Sequence, residues 1–136
     1  MRRLSQTILF VEDYKDSREM VKLLLQDNYR VITAANAQDA LELVRKEQPD
    51  LVLTDFNLPD FNGTELVRRI RRLGGRFSHI PVVMVTAYAR DQVYDSAIEA
   101  GCTAFFSKPI DFEVLEEAIG QLLAETREIN GSVNGR

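Results

Sequence analysis

Leu51-Val52-Leu53-Thr54, running into Asp55-Phe56-Asn57-Leu58-Pro59-Asp60-Phe61-Asn62-Gly63, is the stretch on which the fold turns. Four apolar or β-branched residues read as a short strand, and the Pro, Asn and Gly that follow mark an irregular loop. Leu66, Val67 and Ile70 then recur at helical spacing. Strand, acid, loop and helix make one βα unit, and the unit repeats in both directions along the chain. Upstream, Thr7 to Val11 is a strand ended by Glu12-Asp13. Its helix is expected to start at an N-cap on Asp16 or Ser17 and to turn Met20, Val21, Leu24 and Leu25 inward. Arg30 to Ala34 makes a weaker strand, Asn36 caps a helix with Ala37, Ala40, Leu41 and Val44 on one face, and Pro49 follows its end. Downstream, Pro81 introduces the strand Val82 to Thr86, and the helix Asp91 to Ala100 is stopped by Gly101. Ala104 to Ser107 is the fifth strand. After the Lys108-Pro109 turn, Asp111 caps a last helix that buries Leu115, Ala118, Ile119 and Leu122.

Five such units predict an α/β fold with a five-stranded parallel sheet covered on both faces. The weak second strand suits an edge, which gives the flavodoxin-like doubly wound (βα)5 arrangement with strand order 2-1-3-4-5. The 136 residues, 45% of them hydrophobic, fit one core. Residues 1–127 are expected to form that domain, and 128–136, with the composition of Asn130 to Arg136, a flexible tail or the start of a linker. A net charge of -4 argues against bulk attraction to nucleic acid or an anionic membrane. One Cys and one His exclude an internal disulfide and most zinc sites. No apolar run approaches the roughly 20 residues that span a bilayer, and no signal peptide follows Met1, so a cytoplasmic location is expected.

In an open parallel sheet, ligands bind outside the carboxyl ends of the strands. Glu12 and Asp13 follow strand one, Asp55 follows strand three, Thr86 ends strand four and Lys108 follows strand five. Strands one and three meet at the switch point, so the three acids become neighbours. Such a cluster stays ionised only with a cation among them. Oxygen-only donors select a hard divalent ion, and a site that expects phosphate favours Mg²⁺, for which Mn²⁺ can substitute. Lys108 adds a positive charge and Thr86 a hydroxyl donor around an anion on Asp55. This is the donor set of phosphoryl transfer, with Asp55 as nucleophile.

These residues resemble the receiver domains of two-component response regulators, especially those of the chemotaxis type, and the resemblance covers Thr7 to Leu123. The carriers are Val11-Glu12-Asp13, the run Leu53 to Pro59 around Asp55 with Gly63 ending the loop, Thr86-Ala87, and Lys108-Pro109. Resemblance implies that Glu12, Asp13, Asp55 and the backbone carbonyl of Asn57 hold Mg²⁺. It further implies that Asp55 is phosphorylated by a sensor histidine kinase or a histidine phosphotransfer protein, with Lys108 and Thr86 assisting. Thr86 and Phe105 match the family's switch pair, although Phe stands where chemotaxis members carry Tyr, so burial alone would draw it inward. Asn57 and Tyr88 match the positions that tune dephosphorylation, Asn57 orienting a water and Tyr88 shielding the phosphoryl group. Such a domain works in a phosphorelay as a signalling switch with no separate metabolic substrate, apart from slow autodephosphorylation. Its output surface in the family is formed by helix four, strand five and helix five, here Tyr94, Phe106 and the exposed side of Glu113 to Gln121. The Asp that dimerising family members carry on strand five is absent.

Rival readings stay in view. A haloacid-dehalogenase-type aspartyl-phosphate phosphatase wants a second Asp two residues after the nucleophile, where this chain has Asn57. A flavodoxin wants a phosphate loop where this chain has Glu12 and Asp13, which repel an FMN phosphate. The chain fits a stand-alone regulator or the receiver portion of a transcription factor or hybrid kinase. Asp60 and the basic run Arg68, Arg69, Arg71, Arg72 and Arg76 read as solvated, His79 as a surface residue, and Cys102 as a small residue near strand five.

Overall fold

The computed structural model describes residues 6–88 and 90–134. Five strands and five helices alternate: β1 (Thr7–Val11), α1 (Lys15–Leu25), β2 (Arg30–Ala34), α2 (Ala37–Glu47), β3 (Leu51–Thr54), α3 (Gly63–Arg72), β4 (Val82–Thr86), α4 (Arg90–Ala100), β5 (Ala104–Ser107) and α5 (Phe112–Asn134). A 3₁₀ turn at Gly75–Ser78, not anticipated from sequence, links α3 to β4. The strands pair in the order β2-β1-β3-β4-β5, all parallel. Every residue of β1, β3 and β4 is buried, which is why these runs are continuously apolar rather than alternating. β2 and β5, at the edges, are only partly covered.

Alternate side chains of the central strands feed two cores. Leu9, Val11, Val52 and Met84 meet α2, α3 and α4 through Ala40, Val44, Leu66, Ile70 and Ala97. Ile8, Phe10, Leu53 and Val85 meet α1 and α5 through Val21, Leu25, Leu115 and Ile119. The predicted fold class, strand order and inward residues of α2 and α3 agree with this arrangement. Asn36 caps α2 by accepting the Asp39 N–H at 2.8 Å, and Asp111 accepts the Glu113 N–H ahead of α5.

Three local expectations are corrected. α1 starts at Lys15 behind Tyr14, which makes no side-chain cap, so Asp16 and Ser17 lie inside its first turn. Only Val21 and Leu25 of that helix are buried, while Met20 (55% exposed) and Leu24 (42%) sit on the neighbouring arc and face water. In α5 the third buried position is Leu123, with Ala118 and Leu122 half-covered.

Of the basic run, Arg69, Arg72 and Arg76 are exposed and Arg68 nearly so, as expected of a solvated face, and Arg71 alone departs from that reading. Glu65 pairs with Arg68 and Arg69, Arg76 lies 3.4 Å from Asp50, and the Arg69 guanidinium stacks 4.0 Å above the Phe61 ring. Arg71 is half-buried and donates to the carbonyls of Gly101 (2.7 Å), Ile80 (2.7 Å) and Phe77 (3.0 Å). It thereby staples α3 to the turn that closes α4. Gly101 there has φ +111°, and a Cβ would press on the Arg71 side chain, so both backbone and neighbour demand glycine. His79 is exposed. Cys102 is buried with its Sγ 2.9 Å from the Ala104 carbonyl, and burial pushes its thiol pKa up. Among the described residues, no helix is long and apolar enough to cross a membrane.

Candidate functional site at the carboxyl edge of the sheet

Register builds the site. Val11 pairs with Thr54, and the Asp55 N–H donates to the Val11 carbonyl at 3.0 Å, so Glu12 and Asp55 leave the sheet side by side. One strand further, the Lys108 N–H donates to the Thr86 carbonyl at 2.8 Å, which fixes where the lysine departs. Its Nζ then crosses the carboxyl edge and donates to Glu12 Oε1 at 3.0 Å and to Asp55 Oδ2 at 2.9 Å. Glu12, Asp55 and Lys108, separated by up to 96 positions in the chain, thus form one ion triplet.

The second oxygen of each acid also accepts a backbone N–H. Asp55 Oδ1 accepts the Asn57 N–H at 3.1 Å, and Glu12 Oε2 accepts the Tyr14 N–H at 3.2 Å. Glu12 is 3% exposed and Asp55 7%. Burial lifts the Glu12 pKa above its ordinary 4.5, against the pull of Lys108 and the Tyr14 N–H. Burial alone would lower Lys108, but the Asp55 and Glu12 carboxylates hold it above its ordinary 10.5.

The other expected residues line the same edge at different depths. Thr86 is 1% exposed and its Oγ1 accepts the Tyr88 N–H at 3.2 Å. Tyr88, 42% exposed, sets its ring edge-on to Phe56 with centroids 5.1 Å apart. Phe105 is half-buried and packs edge-on against Tyr94 at 5.6 Å. Asp13 and Asn57 are exposed at the rim. The structure therefore joins Glu12, Asp55 and Lys108 directly and leaves the Asp13 side chain outside that triplet. Gly63 returns against the strand end, donating its N–H to the Phe56 carbonyl at 2.7 Å. A Cβ on it would collide with the Asp55 carbonyl oxygen and approach Phe56 Cα to 2.9 Å.

Sequence reasoning missed two contributors. Arg18, on α1, donates from Nη1 to the carbonyls of Glu12 (2.8 Å) and Asp13 (3.0 Å), holding the turn that carries both acids. Asp60, expected to be solvated, reaches back to α2: Oδ1 accepts the Ala37 N–H at 2.9 Å and Oδ2 the Gln38 N–H at 2.8 Å. An Arg seven residues after a strand and an Asp beside a Pro are faint signals, because what each touches is decided by the fold.

Two buried carboxylates face a single ammonium, so the site carries an excess negative charge, with Asp13 adjacent. Its donors are all oxygen, which suits a hard divalent cation that keeps part of its water. As the side chains stand, no three His, Cys, Asp or Glu groups among the described residues gather closely enough to hold a metal ion. Lys108 occupies the space between the two acids that do converge.

A doubly wound parallel sheet in the order 2-1-3-4-5, with an acid and lysine triplet at the ends of β1, β3 and β5, defines a flavodoxin-like α/β protein. The chain belongs to the response regulator receiver domains, whose family model matches residues 8–120. It is 36% identical over 128 residues to chemotaxis protein CheY of Pseudomonas aeruginosa, covering 91% of this chain and 98% of that one. It is 31% identical over 121 residues to sporulation initiation phosphotransferase F of Bacillus subtilis, covering 88% and 95%. A CheY-like receiver domain protein of Methanospirillum hungatei has a crystal structure that superposes with a TM-score of 0.84 at 31% identity, covering 90% of this chain and 97% of that one. Other relatives are longer: the chain spans 52% of one and 8% of another. The protein is thus a receiver domain of two-component phosphorelay signalling.

Proposed function

We propose that Asp55 accepts a phosphoryl group from a sensor histidine kinase or a histidine phosphotransfer protein, and that the resulting aspartyl phosphate switches a protein-interaction surface. The observation that supports this most strongly is the bridge from Lys108 to Asp55 and Glu12. An Asp55 carboxylate oxygen attacks phosphorus, the donor's bond to phosphorus breaks with its electron pair, and an acyl phosphate forms. Lys108, already within reach of Asp55, neutralises charge on the transferred oxygens. Glu12, Asp13, Asp55 and the Asn57 carbonyl would hold Mg²⁺, with Mn²⁺ as a substitute, which adds further charge neutralisation at those oxygens.

Thr86 needs only to turn its hydroxyl from the Tyr88 N–H toward the new anion. Movement of Phe105 then follows from the space that Thr86 vacates, and the change is read on the face formed by α4, β5 and α5, where Tyr94 and Phe106 lie. Tyr88, held by Phe56, shields the acyl phosphate from water, and Asn57 at the rim orients the water that does arrive. The domain acts on no substrate other than its phosphoryl donor and its own aspartyl phosphate, and it works in the cytoplasm.

The test is intact-protein mass after incubation with acetyl phosphate and Mg²⁺, beside Asp55→Asn and a chelator control. One added phosphoryl group is expected in the wild type alone, with acetate released. Addition to Asp55→Asn as well would move the acceptor elsewhere.

A further inference from the structure

Asp60 lies five positions beyond Asp55, in the loop between β3 and α3, yet its carboxylate is spent on another element. It takes the N–H groups of Ala37 and Gln38, 23 and 22 positions earlier, and the N–H of its own neighbour Phe61 at 2.9 Å. The first turn of a helix presents unpaired N–H groups and a partial positive charge, so a carboxylate placed there is well held. The cap at Asn36 already serves the third N–H of α2. Capping α2 from within its own sequence would not require a residue from the β3–α3 loop, and the contact's distinctive effect falls on the loop.

That loop is fixed at both ends. Gly63 is tied to Phe56, and Asn62 caps α3 by accepting the Glu65 N–H at 2.9 Å. Asn57 hangs on Asp55 through one N–H at 3.1 Å, and Leu58 is buried. Between these points Pro59, Asp60 and Phe61 are anchored outward by the Asp60 carboxylate on α2 and by Arg69 over the Phe61 ring. Without the first anchor, the segment that presents Asn57 beside Asp55 loses its tie to the α2 layer.

We propose that Asp60 is a positioning residue for the phosphoryl-transfer site, clamping the loop after β3 to the N-terminus of α2 so that Asn57 stays in register with Asp55. This rests on the function proposed above. The clamp acts through the loop's backbone and touches none of the reacting atoms.

The test compares wild type with Asp60→Ala, Asp60→Asn and Asn36→Ala, the last weakening α2 without touching the loop. Two quantities are read: the Mg²⁺-dependent rise in melting temperature, and the Mg²⁺ concentration giving half-maximal labelling by acetyl phosphate. Asp60→Ala is expected to raise the Mg²⁺ concentration for half-maximal labelling about tenfold, the low end for residues that orient metal ligands, and to shrink the Mg²⁺-dependent rise in melting temperature accordingly. Asp60→Asn, keeping one acceptor oxygen, should recover part of the loss. Asn36→Ala should lower the melting temperature in the absence of Mg²⁺ and leave both Mg²⁺ responses unchanged. Equal Mg²⁺ responses in Asp60→Ala and wild type, or equal losses in Asn36→Ala, would reduce Asp60 to a helix cap and overturn the proposal. A wild type that binds Mg²⁺ but takes no phosphoryl group would fail the proposed function alone, since the melting-temperature comparison still decides the clamp. No Mg²⁺ response in the wild type would overturn both.

Discussion

Lys108 is the ammonium that bridges two buried acids, so its removal should steepen the stability that the site gains on acidification. Its raised pKa means that its contribution is fully present below its ordinary 10.5 and is lost only as pH climbs through the folded value. Between pH 5 and 8 the wild type therefore gains and loses nothing through Lys108. In Lys108→Met, Glu12 and Asp55 repel each other without a counter-ion, Glu12 loses the partner that pulls its pKa down, and ionisation of the pair costs stability. We expect this variant to melt well below wild type at pH 7 and to recover as pH falls toward 5. Thermal unfolding across that range checks it, and a melting temperature that fell on acidification would contradict the triplet. Strand-end position and residue type made Glu12, Asp55 and Lys108 legible in the sequence. Asp13 was legible by the same reasoning, but its side chain stands apart because the turn that Arg18 holds carries it outward.

At the scale of elements, the run from Arg68 to Arg76 shows what periodicity can miss. Hydrophobic spacing placed Leu66, Val67 and Ile70 inward correctly, and it correctly put the arginines off that face. It could not reveal that Arg71 bends across to carbonyls 6, 9 and 30 positions away, since such acceptors are supplied by turns with no sequence signature of their own. Arg71→Met should strand those partly buried carbonyls and cost about 2 kcal/mol of stability, measurable by chemical denaturation. Arg71→Lys should restore less than half, because an ammonium cannot span the fork that reaches Gly101 and Ile80 together. Full recovery with Lys would mean that charge, rather than geometry, holds α3 to the end of α4. The missed cap of α1 has a related cause. Asp16 and Ser17 are good N-cap residues, but the chain turns into the helix two or three positions earlier, behind Tyr14, and packing of Val21 and Leu25 overrides the local preference.

Over the whole molecule, the acidic side of the stability curve should be peaked rather than flat. Glu12 has a raised pKa, so protonating it as pH falls through that value relieves a cost and adds stability. Three other carboxylates act in the opposite sense. Arg30 holds Glu47 low and Arg69 holds Glu65 low, while Asp60 is held low by backbone N–H groups that outweigh its burial. Their contributions are present above the ordinary values of 4.5 and 3.8 and vanish as pH drops through the folded ones. The urea midpoint should therefore rise slightly from pH 7 toward 5 and then fall steeply below 4, with Glu12→Gln abolishing the rise. At this scale the sequence was most informative: continuous apolar strands, helical faces and one weak edge strand were enough for layer order and topology. Contacts between layers were not, because they depend on how loops fold over one another.

The buried thiol of Cys102 gives the molecule a built-in gauge. It is the only cysteine in the chain, and it lies at the seam where β5 leaves β4, against the carbonyls of Val82 and Ala104. A thiol reagent can reach it only when that seam parts, so the rate of modification counts openings of the sheet's least covered edge strand, with no label added to the protein.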